Sequence, residues 1–164
     1  MPELAQSQPA PVRGRPPLDL SPVVLIADDE RALLELLRYA LNAERFRVLT
    51  AADGHSALAL AEASMPEALV ADVGMPGLDG FGLIRAVRGL YPSLPVIVMS
   101  GDSYYRGRPV EAVAAEHGAV ATLMKPFDVA ELQQAVRRVV SPASPQSAGQ
   151  WDPAHLLSAN GNAP

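Results

Sequence analysis

The segment Leu69-Val70-Ala71-Asp72-Val73-Gly74-Met75-Pro76-Gly77-Leu78-Asp79-Gly80 leaves this chain little choice of fold. A short apolar run ends on one carboxylate, Asp72, and breaks at once into Gly, Met-Pro, Gly and Asp-Gly. Gly and Pro set backbone angles that a continuing strand would not accept. The run therefore reads as a buried strand whose last residues push an acid out of the sheet edge into a loop. Carboxyl ends of parallel strands are where open α/β sheets build their sites. A second run, Val23-Val24-Leu25-Ile26-Ala27, ends in Asp28-Asp29-Glu30. If the two strands are parallel neighbours, Asp28, Asp29 and Asp72 converge at one edge. Like charges that close do not all stay ionised without a cation. Oxygen ligands, with no Cys and no His cluster in the chain, point to Mg²⁺.

The rest of the middle alternates between the two periodicities. Residues 30–43 read as a helix with Leu33, Leu36, Leu37, Ala40 and Leu41 on one apolar stripe. A strand over Arg47–Ala51, a helix over 56–64, the central strand over 68–73 and a helix over 81–90 follow. Then come a strand over 95–99 ending in Ser100-Gly101, a weaker helix over 109–117, a strand over 119–124 ending at Lys125-Pro126, and a last helix opened by Asp128. Asp128 with Glu131 three residues on resembles a capping box. Continuous apolar runs are what strands show when helices cover both sheet faces. Five strand–helix pairs give a doubly wound, flavodoxin-like (βα)5 parallel sheet of the α/β class. Right-handed crossovers bring all carboxyl strand ends to one edge, and the order 2-1-3-4-5 sets strands one and three side by side.

The set Asp28-Asp29, Asp72 followed by Met75-Pro76, Ser100, and Lys125-Pro126, in that order and each at the end of a strand-like run, resembles the receiver domain of bacterial two-component response regulators. The resemblance spans residues 22–140. It implies a stand-alone response regulator receiver that takes a phosphoryl group on Asp72 from a histidine kinase or a histidine phosphotransfer protein. It implies that Asp29 binds Mg²⁺ directly, Asp28 mostly through water, and that Asp72 and the main-chain carbonyl of Gly74 add ligands. Lys125 would reach the phosphoryl group as a point charge, and Ser100 would hydrogen-bond it. In the family the Lys–Pro bond is cis. Such a protein supports its own phosphorylation and dephosphorylation but is not an enzyme turning over an external metabolite.

Each residue also has a plainer reading. Asp72 could cap the next helix, and Asp28, Asp29 and Glu30 could favour a helix N-terminus through its dipole. Lys125 could be a surface lysine and Ser100 a simple turn residue. A Mg²⁺-dependent phosphatase of the haloacid dehalogenase type also uses an aspartyl phosphate, but it wants Asp-x-Asp on one strand where this chain has adjacent Asp28-Asp29. A pseudo-receiver, a binding module never phosphorylated, would not need the complete acid, Ser and Lys set. One departure from the family pattern matters. Three residues before Lys125, where many receivers carry Tyr or Phe, stands Thr122. The output face is therefore expected to rearrange less on phosphorylation, or the tail and the Tyr104-Tyr105 loop to carry the signal.

Composition sets the outer limits. A net charge of -5 and a pI near 5.1 argue against a general nucleic-acid binder, which needs a basic face. No apolar run approaches the ~20 residues of a membrane helix, and the amino terminus lacks a signal-peptide pattern. No membrane contact and a cytoplasmic location are the expectation. Ten of the 16 prolines fall in residues 1–22 and 141–164, so residues 1–21 and 141–164 read as disordered tails, with Trp151 and Leu156-Leu157 as a short docking segment. Output is expected through protein contact or phosphate shuttling. His55, His117 and His155 match no metal spacing and read as structural or surface residues.

Overall fold

The computed structural model describes residues 20–140. The expectations for the two tails, Trp151, His155, Leu156 and Leu157 lie outside the described residues. In chain order the elements are β1 (Val23–Ala27), α1 (Arg31–Asn42), β2 (Arg47–Ala51), α2 (Gly54–Ser64), β3 (Ala68–Asp72), α3 (Gly80–Leu90) and β4 (Val96–Ser100). Then follow β5 (Tyr104–Tyr105), β6 (Arg108–Pro109), α4 (Val110–Glu116), β7 (Ala121–Met124) and α5 (Val129–Val139). The main sheet is all parallel, in the order β2-β1-β3-β4-β7. That is the expected flavodoxin-like order, with β7 as the fifth strand.

Side chains alternate across the strands, so each strand feeds two cores. Leu25 and Ala27 of β1, Leu69 and Ala71 of β3, and Val96 and Val98 of β4 meet Ala57 and Ala61 of α2, Ile84 and Val87 of α3 and Val113 of α4. Val24, Ile26, Val70, Ile97 and Met99 point the other way, onto Leu34, Leu37 and Leu41 of α1 and Leu132 and Val136 of α5. Every residue of β3 and β4 is buried. That double burial explains their unbroken apolar runs. The register then places the acids: Ala27 lies beside Ala71, so Asp28 and Asp72 are the next residues on neighbouring strands.

Three expectations are corrected. The buried stripe of α1 is Leu34, Leu37 and Leu41, while Leu36 is 51% exposed and Leu33 only partly buried. Leucines surround this helix, so periodicity alone does not settle which of two overlapping stripes faces the sheet. Leu33 and Leu36 instead line a groove with Glu30, Lys125, Pro126, Phe127 and Val129. At α5, Asp128 caps by accepting from the Ala130 amide at 3.1 Å, and its pairing with Glu131 is a backbone bond. The segment after β4 is not a plain loop but a hairpin, β5 with β6, pairing Tyr105 with Arg108.

Two close approaches lock α2 and α3 to the loop after β3. A Cβ added to Gly54 would sit 2.1 Å from the Leu78 carbonyl oxygen, and one on Gly80 would sit 2.3 Å from that of Asp72. Gly89, in α3, has nothing within 4 Å of such a Cβ. Gly54→Ala should therefore lose about 2–3 kcal/mol of stability through overpacking. Gly89→Ala should gain about 0.5–1 kcal/mol by removing backbone freedom from the unfolded chain. Urea unfolding with an unchanged denaturant slope checks both signs.

Candidate functional site

At the carboxyl edge of the sheet, β1, β3 and β7 each deliver a charge. Asp28 and Asp72 are buried and Asp29 is exposed. One carboxylate oxygen from each of the three lies within 4.8 Å of the others. Lys125, just past β7, donates from Nζ to Asp28 Oδ2 at 2.6 Å and lies 3.0 Å from Asp72 Oδ1. The remaining oxygens of the buried pair are also satisfied: Asp28 Oδ1 accepts from the Glu30 amide at 2.8 Å and Asp72 Oδ2 from the Gly74 amide at 3.1 Å. Three carboxylates and one ammonium leave a formal excess of two negative charges.

The electrostatics follow from that imbalance. Burial, helped by the charges of Asp28 and Asp29, pushes the Asp72 carboxyl above the ordinary carboxylate range, and the hydrogen bond from Lys125 only partly offsets this. Burial alone would lower the Lys125 ammonium, yet its hydrogen bonds to Asp28 and Asp72 outweigh that and raise it. The lysine is thus held firmly charged by two acids, while one lysine is not enough to hold Asp72 ionised at no cost. A hard divalent cation fits the donor set, which is all oxygen and carries the uncancelled charge.

Four of the expected residues, Asp28, Asp29, Asp72 and Lys125, are brought together. Gly74 touches Asp72 through its amide. Ser100 ends β4 beside Met124, which precedes Lys125, and Lys125 donates its amide to the Ser100 carbonyl at 2.7 Å. Its hydroxyl, however, is turned into a local motif: it donates to the Asp102 carbonyl at 2.7 Å and accepts from the Asp102 amide at 3.2 Å. That is the plain turn expected of a serine at a strand end. Lys125–Pro126 is cis. His117 is structural as expected, its Nδ1 2.8 Å from the Val113 carbonyl and its ring against Phe81.

Sequence reasoning named the Tyr104-Tyr105 loop but missed the bond it makes: the Tyr105 hydroxyl donates to Asp79 Oδ2 at 2.7 Å. The available signal was Arg106-Gly107 between Tyr-Tyr and Arg-Pro, a two-residue turn without the usual Asn-Gly or Asp-Gly.

Residues 24–137 match the family described as response regulator receiver domain. The transcriptional regulatory protein PrrA of Mycobacterium tuberculosis is 38% identical over 120 residues, which is 73% of this chain and 50% of PrrA. Chemotaxis protein CheY4 of Vibrio cholerae has a similar solved structure, with 29% identity, a TM-score of 0.66, and coverage of 73% of this chain and 98% of CheY4. Response regulator TrrA of Thermotoga maritima, solved in complex with Mg(2+)-BeF, is 25% identical with a TM-score of 0.64, covering 73% of this chain and 99% of TrrA. The chain spans about half the length of the curated relatives it matches.

The raised Asp72 carboxyl makes a stability prediction. A folded-state pKa above the unfolded one means that the folded protein binds a proton more readily, so stability rises as pH falls through the window between the two values. Above that window the ionised form carries its full penalty. Asp72→Asn, with divalent cations chelated, should therefore be more stable than wild type at pH 7. The advantage should shrink as the pH is lowered into the carboxylate range. Lys125 keeps Asp28 as partner in this variant. Thermal unfolding in EDTA across pH checks the sign.

Proposed function

The chain belongs to the response regulator receiver family, and from that premise we propose that Asp72 accepts a phosphoryl group from a phosphohistidine on a histidine kinase or a histidine phosphotransfer protein. The observation that carries this is Lys125 Nζ bonded at once to Asp28 and Asp72, with Asp29 alongside. An Asp72 carboxylate oxygen attacks phosphorus as the N–P bond of the donor breaks. The donor imidazole keeps the electron pair and an acyl phosphate forms on Asp72. Mg²⁺, held by Asp29, Asp72 and the Gly74 carbonyl and by Asp28 through water, would mask the negative charge between nucleophile and phosphoryl oxygens. TrrA, solved in complex with Mg(2+)-BeF, supports that reading.

Lys125 stands beside Asp72 as a compact charge for a phosphoryl oxygen. Ser100 supplies a hydroxyl to another, once it leaves the Asp102 carbonyl. Attack of water on phosphorus then regenerates the Asp72 carboxylate and releases phosphate, so the chemistry is the protein's own cycle. We assign residues 22–140 to this unit. PrrA is a transcriptional regulatory protein, and the chain covers half of it. The output we assign to these 164 residues, with their net charge of -5, is a protein contact or onward phosphoryl transfer without nucleic-acid contact. Among the described residues no helix is long and apolar enough to cross a membrane, and we place the cycle in the cytoplasm.

Incubation with acetyl phosphate or phosphoramidate and Mg²⁺, read by intact mass, tests the assignment. The wild type should gain roughly 80 Da, the mass of one phosphoryl group, and Asp72→Asn should gain nothing, because an amide is no nucleophile here. A stable adduct on the Asn variant would sink the acceptor. Repeated hydrolysis of small phosphomonoesters would instead favour the phosphatase reading. Millimolar Mg²⁺ should raise the melting temperature of the wild type by linkage. Asp29→Ala should lose most of that response.

A further inference from the structure

The receiver reading makes no use of the hairpin between β4 and α4. Its turn residues Arg106 and Gly107 both have positive φ, 50° and 78°. Gly adopts that conformation freely; Arg does so against its preference and persists only where the surroundings impose it. Here the Arg106 guanidinium lies 5.0 Å over the Tyr105 ring and 3.8 Å from Asp79 Oδ2. Arg108 on the other strand pairs with Glu116 of α4.

Tyr105 is the centre of this cluster. Its hydroxyl is bonded to Asp79 Oδ2, and its ring meets buried Phe81 edge to face, with centroids 4.7 Å apart. Asp79 Oδ1 meanwhile caps α3 through the Gly82 amide at 2.7 Å. One carboxylate therefore closes α3 and holds the hairpin. The loop that ends in Asp79 starts from Asp72, and the segment that carries Tyr105 starts from Ser100. That segment is tied at its beginning by the Ser100 hydroxyl on the Asp102 backbone and at its end by the Val110 amide on the Ser103 carbonyl.

We propose that Tyr105 is the aromatic switch of this receiver: its bond to Asp79 latches the β4–α4 segment in the unphosphorylated state and is released when Asp72 is phosphorylated. The inference rests on the reading of Asp72 as acceptor. A serine hydroxyl has one proton. Donating it to a phosphoryl oxygen ends its donation to Asp102, and the first tie of the segment, three residues before Tyr105, is left with only the 3.2 Å bond from the Asp102 amide. Thr122 has no ring to move; Tyr105 has one, on an element that starts at the site.

Beryllofluoride with Mg²⁺, added to the full chain and followed by amide hydrogen exchange and chemical shifts, tests this. In the wild type, hairpin amides over residues 103–110 should exchange about fivefold faster or more when beryllofluoride binds, while those of β1 and β3 stay protected. Tyr105→Phe keeps the ring and removes the hydroxyl. Its hairpin should exchange fast already without beryllofluoride. The variant should bind beryllofluoride about two- to tenfold more tightly, the factor that loss of one hydrogen bond from the latched state supplies. Tyr104→Phe, on the exposed neighbour, should match wild type. If beryllofluoride shifts the amides of Asp72 and Lys125 but leaves wild-type hairpin exchange unchanged, the latch is refuted and the acceptor stands. Equal or weaker binding by Tyr105→Phe also refutes it. If beryllofluoride does not bind at all, the acceptor reading and the latch fall together.

Discussion

One ammonium group holds the site in its resting form. Lys125 Nζ reaches across the strand ends to two buried carboxylates that would otherwise face each other with nothing between them. Buried ion pairs of this kind add little net stability, because desolvation offsets most of the attraction, yet removing one partner leaves an uncompensated charge. What the arrangement provides is a charge balance that is incomplete by design. The lysine is engaged by both buried acids, Asp72 is still pushed toward its neutral form, and the deficit is of the sign and size that a divalent cation makes good. A lysine suits this role better than an arginine, since a point charge on a flexible stem can pass from a carboxylate to a phosphoryl oxygen without breaking a planar fork.

The rest of the fold serves that edge. The register between β1 and β3 makes Asp28 and Asp72 lateral neighbours, and the pairing of β4 with β7 brings Lys125 alongside Ser100. Close packing fixes the loop after Asp72: Gly80 lies against the Asp72 carbonyl, and Gly54 against Leu78. Asp72 therefore sits on a closely packed strand end, while the segment that follows Ser100 is tied by the hydrogen bonds of Ser100 and Tyr105, the Phe81–Tyr105 ring contact and the Arg108–Glu116 pair. That division into a packed half and a tethered half suits the phosphorylation switch we propose.

The strand ends were legible in the sequence because a parallel sheet buried on both faces writes each strand as an unbroken apolar run, and the first polar residue after it marks the edge. Asp28, Asp72, Ser100 and Lys125 all stand at such breaks. The strand order was legible because alternating elements and right-handed crossovers leave few topologies. The face of α1 was not, since its leucines line more than one stripe and only the packed helix shows that Leu36 is left over for the groove beside Lys125. The orientation of the Ser100 hydroxyl was not either, because a serine at a strand end can turn its hydroxyl into the local turn or out toward a ligand, and here it takes the turn. The Tyr105–Asp79 bond spans 26 positions and depends on a turn whose first residue is an arginine in a left-handed conformation. No local propensity points to that.

We propose that Lys125 and the three aspartates form a charge system completed by a cation and a phosphoryl group. A crystal structure with Mg²⁺ and beryllofluoride tests it most directly. Beryllium is expected on an Asp72 carboxylate oxygen, the cation against Asp29 and Asp72, the Lys125 ammonium about 2.7–3.2 Å from a fluoride, and the Ser100 hydroxyl turned away from the Asp102 carbonyl. Beryllofluoride elsewhere, or Lys125 unmoved from both carboxylates with no cation at the three aspartates, would contradict it.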